Sequence, residues 1–167
     1  FRVYNTRNPA LADKRVRMSL GLLVDRGSVL KEVHRELHRA IDTPYPSGSP
    51  CAEGVQPLRF DPAGAAALLR DAGYGSGPGL QPLRLTWLIP ASSKTLVPEA
   101  RIYAADARKA GVEIALETVD WPVFQERLRA GNFDFAALAW FTSVDDDLFS
   151  TFHSSQAKDG LNYGAFK

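Results

Sequence analysis

From Leu83 to Trp140 the apolar pattern alternates between two periods, and nothing else in the sequence limits the fold as tightly. Leu83-Arg84-Leu85-Thr86-Trp87-Leu88-Ile89 reads as a strand. Residues 97–110 follow a helical period, and Gly111 ends them. Val112-Glu113-Ile114-Ala115-Leu116 opens a second strand reaching about residue 118. Residues 121–130 predict a helix capped by Asp120 and stopped by Gly131, with Val123, Phe124, Leu128 and Ala130 on its inward side. The stretch around 134–140 then predicts a third strand. Short links between alternating strands and helices require crossovers onto a shared sheet. The expected fold class is therefore α/β, a central mixed sheet with packed helices.

The first half is more broken. Phe1-Arg2-Val3-Tyr4-Asn5 reads as a strand already under way, and a helix over about 14–24 opens near Asp13 with Val16, Leu20, Leu22 and Leu23 on its apolar face. After Asp25-Arg26-Gly27-Ser28, Val29, Leu30, Val33 and Leu37 predict one side of a second helix. Three prolines and a glycine make Thr43 to Pro50 a loop. Phe60-Asp61-Pro62 is the sharpest helix start: Asp61 can accept from free backbone amides, and Pro62 loses nothing at the first helical position. Ala65, Ala66, Leu68, Leu69 and Ala72 continue that helix over 61–72, and Gly73 suits its left-handed end. Gly73 to Gly79 is a connector, because it lacks the Lys-Ser/Thr ending of a phosphate loop.

Twenty basic and 19 acidic residues, mixed along the chain, form no basic stripe, so neither nucleic acid nor anionic lipid is an expected partner. Apolar runs fall short of the roughly 18 residues a membrane span needs, so no membrane insertion is expected. A length of 167 residues fits a single domain, 1–167. Both ends look cut, so the chain is expected to be a piece of a longer polypeptide whose export signal lies elsewhere.

Chemistry-bearing constellations are few. His34-Arg35-Glu36-Leu37-His38 has the i, i+4 spacing of a zinc helix, but arginine follows the first histidine and the surroundings are charged. A solvated helix face is expected, with no metal. His153 is isolated, and packing or hydrogen bonding is its default role. No Gly-x-Ser-x-Gly elbow exists, and Cys51, the single cysteine, has no flanking motif. Catalysis and cofactors are therefore not expected. Asp145, Asp146 and Asp147 can cap a following short helix through its dipole, touch a ligand, or hold a cation. Contiguous acids do not easily converge on one ion, which favours capping.

These pieces, in order, resemble a known family. Asp13 to Arg17 with Asp25-Arg26, the block Phe60-Asp61-Pro62 to Ala72-Gly73-Tyr74, Ala110-Gly111-Val112-Glu113-Ile114, Leu128 to Asp134, then Trp140, the acids and Asn162-Tyr163-Gly164 carry the resemblance. It is to the extracellular solute-binding proteins of family 5, the dipeptide-, oligopeptide- and nickel-binding subunits of bacterial ABC importers. Ser19 stands where the family usually has alanine, and Arg39-Ala40 where glycine is frequent. Peptide binders of the family carry an aspartate three residues after the tryptophan matching Trp140; Ser143 stands there, unless a shifted loop lets Asp145 serve.

The resemblance implies one lobe of a two-lobed periplasmic-binding-protein architecture, most of the C-terminal lobe of a longer protein. It implies capture of a peptide or similar small solute, membrane components of an ABC importer as partners, and a periplasmic or extracellular place, membrane-associated through the importer. Trp140, Phe141, Thr142 and Ser143 would then form cleft wall, with Asp145 beside them; alternatively Trp140 is core and the rest a turn. The same lobe fused to a DNA-binding regulator as a ligand sensor is the alternative function, and a hydrolase a more distant one.

Overall fold

The computed structural model describes residues 1–45, 49–139 and 147–167, and its centre is strand β2, Leu83–Pro90. Strand β3 (Val112–Val119) pairs with β2 in parallel along its whole length, from Leu83 opposite Val112 to Pro90 opposite Val119. Strand β4 (Phe135–Ala137) lies parallel on the other side of β2, and β1 (Arg2–Tyr4) runs antiparallel to β4. The sheet is thus mixed, in the order β1-β4-β2-β3. Among the helices of the described residues are α1 (Pro9–Ala12), α2 (Lys14–Leu22), α3 (Arg26–Glu32), α4 (Pro62–Asp71), α5 (Leu96–Lys109), α6 (Trp121–Ala130) and α7 (Phe149–Phe152).

Crossovers between parallel strands are right-handed, so two that run in opposite directions along a sheet pass over opposite faces. β2 steps outward to β3 through α5, and β3 steps back across β2 to β4 through α6. The packing agrees. Leu83, Leu85, Trp87 and Ile89 of β2 meet Ala100, Tyr103 and Ala107 of α5, with Val16, Leu20, Ala65 and Leu69 from α2 and α4. Leu88 faces the other way, onto Phe124 and Leu128 of α6, with Phe133 and Ala136. A strand covered on both faces needs continuous apolar residues, which is why this one lacks clean alternation.

Two buried asparagines tie backbone segments together, Asn5 between the end of β1 and the approach to β4, and Asn162 within the segment from α7 onward. Asn5 Nδ2 donates to the carbonyls of Gly131 and Phe133, each at 2.8 Å. Asn162 Nδ2 donates to the Phe166 and His153 carbonyls at 2.9 and 3.2 Å, and its Oδ1 accepts from Phe166 N. Asp134 also acts structurally: its Oδ2 accepts from Thr86 N at 2.7 Å and its Oδ1 from Asn8 Nδ2 at 2.8 Å.

Several expectations need correction. The second helix ends at Glu32, so Leu37, expected on one side of it with Val29, Leu30 and Val33, lies beyond it and is 82% exposed. Arg35 and Glu36 adopt left-handed φ values of 50° and 60°, which no helix continues through. On α6, Val123 and Ala130 are exposed. Phe124 and Leu128, one turn apart, take all its buried contact, and the other two point away from that line. Asp120 sits at the cap position of α6 without making a cap hydrogen bond. Strand β4 is shorter than 134–140, although Leu138 N still donates to Phe1 O at 2.9 Å. The first long helix stops at Leu22 instead of 24.

Candidate functional site

The parallel strands β2, β3 and β4 share one direction, so their carboxyl ends lie together. Open α/β sheets bind ligands in the crevice outside such ends. Here a cavity of about 700 Å³ opens there, a size suited to a small solute. Ala137, Leu138 and Ala139 line it from the end of β4, Ser93, Thr95 and Leu96 from the turn after β2. Because β1 is antiparallel, its beginning meets the end of β4, which brings Phe1 and Arg2 to the same wall. More of the wall comes from α3 and the segment after it, including His34, His38, Arg39 and Asp42, and from Glu99 of α5.

Charged groups of this wall are mostly paired. His34 Nε2 lies 2.9 Å from Glu99 Oε1 on α5, and the His38 ring meets the His34 ring edge-on at 4.7 Å. Arg26 donates to Asp42 at 2.7 Å and to the Leu58 carbonyl at 3.1 Å. The Arg2 guanidinium lies over two aromatic rings, 4.1 Å from the centre of Tyr103 and 5.0 Å from that of Trp87. Burial pushes the Tyr4 phenol above its usual range, against the opposing pull of Arg2. Burial pushes Tyr103 well above it, and its hydroxyl donates to the Leu20 carbonyl at 2.9 Å. Trp87 Nε1 is buried without an acceptor among the described residues.

The residues expected to form the cleft wall, Trp140, Phe141, Thr142, Ser143 and Asp145, lie outside the described residues. Of the three acids, Asp147 alone is described, and it accepts from Phe149 N at 2.8 Å at the start of α7. His34 and His38 do not share a helix face, which corrects the solvated-helix expectation: the turn at Arg35 and Glu36 folds one ring against the other. Among the described residues, no group of three or more His, Cys, Asp or Glu could hold a metal ion. His153 has the packing role expected of it, stacked on Phe149 and bonded to Ser155 Oγ at 2.9 Å. Cys51 is exposed and free.

Sequence reasoning missed Arg2. Its signal was available: it occupies the same strand face as Tyr4, which packs on Phe135, so a cation stood where an apolar side chain was due.

Comparison with known proteins adds to this geometry. The sequence model for bacterial extracellular solute-binding proteins, family 5 Middle, matches residues 1–160. The oligopeptide-binding protein AppA of Bacillus subtilis is 27% identical over 176 residues, covering 98% of this chain and 32% of that protein. Protein XP55 of Streptomyces lividans is 32% identical over 160 residues, covering 90% of this chain and 29% of that protein. The solved structure of AppA with a nonapeptide superposes at a TM-score of 0.89 with 25% identity, covering 99% of this chain and 35% of that one. NikA from Brucella suis with Fe(III)-EDTA superposes at 0.84 with 28% identity, covering 98% and 34%. The chain spans about a third of the length of the curated relatives it matches.

Proposed function

We propose, from the premise that the chain belongs to the bacterial extracellular solute-binding proteins of family 5, that it is a ligand-binding lobe which captures a peptide or similar small solute for an ABC importer. Residues 1–167 form a single domain in this reading, most of the C-terminal lobe of a longer protein outside the cytoplasm, which meets the membrane through its importer. The observation that carries it is the cavity at the carboxyl ends of β2 and β4 in a chain of this family. Apolar wall from Leu96, Ala137 and Leu138 supplies contact area, and Ser93, Thr95 and exposed backbone supply orientation. Trp140 to Ser143 follow directly on Ala139 and extend this wall in the proposal, with Asp145 close behind. The second lobe closes over it about a hinge, and the importer recognises the closed shape. The mechanism is binding, with no chemical step.

No feature of the described residues favours a sensor lobe fused to a DNA-binding regulator. The test is to purify the parent protein from its host without refolding and identify what acid releases from it. Released peptides support the reading. A parent that carries no small solute and takes up no member of a random peptide library overturns it.

A further inference from the structure

Charges lining the cavity are unequally committed. Among the described residues, the two carboxylates that line it are engaged, Asp42 with Arg26 at 2.7 Å and Glu99 with His34 at 2.9 Å. Arg2 and Arg39 line the same space, and neither guanidinium meets a carboxylate among the described residues. Arg39 is exposed on the segment after α3. Arg2 is different, because it is only partly exposed and is held over the faces of Tyr103 and Trp87.

A cation held over a ring face is attracted through its charge, so N–H donors of the guanidinium not aimed at a ring can still reach other groups. Those donors form a rigid fork that matches a carboxylate with two parallel hydrogen bonds. A cation partly withdrawn from water gains most from an anion that arrives with the ligand. The two rings have already restricted the side chain, so less rotamer entropy is lost when the anion binds. The His34–Glu99 pair contributes by committing the one carboxylate that α5 presents to the cavity.

We infer that Arg2 anchors a carboxylate of the bound solute, so that this cavity selects solutes that bear one, as a peptide α-carboxylate or as an acidic side chain. The inference rests on the solute-binding reading above, and the test separates the two.

Full-length parent protein and its Arg2→Gln variant are each incubated with two random tri- to pentapeptide libraries, one with free carboxyl termini and one amidated. Retained peptides are quantified by mass spectrometry, and affinities of the enriched ones are measured by titration. The parent is expected to favour carboxylate-bearing peptides roughly 10- to 100-fold, the size of a charge-assisted hydrogen-bonded pair, and Arg2→Gln to lose that preference. Enrichment of Asp- and Glu-containing members in the amidated library assigns the side chain as the source; enrichment confined to the free-acid library assigns the α-carboxylate. Arg2→Lys, which keeps the charge without the fork, is expected to retain an intermediate preference, and it serves where Arg2→Gln fails to fold. A carboxylate preference unchanged in both variants, with peptides still bound, overturns the Arg2 assignment and leaves solute binding intact. A parent that retains no peptide from either library overturns both.

Discussion

Asp61 and Asp120 stand at the same position of two helices with different consequences. Asp61 Oδ1 accepts from Gly64 N at 2.9 Å, whereas Asp120 makes no side-chain cap bond. Asp61→Ala should therefore cost about 1 kcal/mol in urea unfolding, and Asp120→Ala well under that. Equal losses would mean that cap position, and not the hydrogen bond, sets the effect. Asp25 adds a pH dependence. The Ser28 amide and the Ser28 hydroxyl both donate to its carboxylate and hold its pKa below the usual carboxylate range. A lowered folded-state pKa stabilises the fold above the ordinary carboxylate range, and that contribution fades as pH falls through the folded value. The difference in urea midpoint between the parent sequence and Asp25→Ala should shrink from about pH 5 to about pH 2. A difference constant across that range would show that the cap acts without its charge.

At the scale of elements, the glycine connector has a packing duty that its composition hides. Gly111 ends α5 with φ 85°, and a Cβ built there would lie 2.7 Å from the Gly75 backbone. Helix end and connector touch backbone to backbone, at the point where Leu83 N donates to the Gly111 carbonyl and pairing of β2 with β3 begins. Gly111→Ala should cost about 2–4 kcal/mol, from left-handed strain together with overpacking. Denaturant unfolding checks this; a loss below about 1 kcal/mol, the ordinary helix-end preference for glycine, would mean the connector simply moves aside. The sequence alone marks Gly111 as a helix end and places Gly75 in a connector. Their contact is not marked, because the residues are far apart in the chain and nothing local announces the meeting.

For the whole molecule, function depends on what borders the cavity at the end of β4. In the proposed two-lobed parent, Trp140→Ala should weaken solute binding by about 1–3 kcal/mol, the loss expected for an aromatic anchor. If the residue packs in the core instead, the same change should leave affinity intact and cost about 3–5 kcal/mol of stability. Titration and denaturant unfolding of that one variant decide between the two.

Secondary structure was largely legible in the sequence where local chemistry dictates it. Asp13, Asp61-Pro62, Gly73, Gly111 and Gly131 mark helix ends by capping, proline and positive φ, and these are properties of a few adjacent residues. The alternation from Leu83 onward determined the fold class, because short links between parallel strands admit little but crossovers. Tertiary structure decided the rest. Val123 pointed outward because the sheet, absent from any local window, touches α6 only along Phe124 and Leu128. Helix α3 stopped before Leu37, and His34 of the turn that follows pairs with Glu99, 65 residues away. Arg2 became a cavity residue only when antiparallel pairing set the start of β1 beside the end of β4 and laid its guanidinium on Tyr103 and Trp87. Caps and periods are short-range and can be read from neighbours, whereas a binding wall is made of chain segments whose proximity exists only after the sheet has formed.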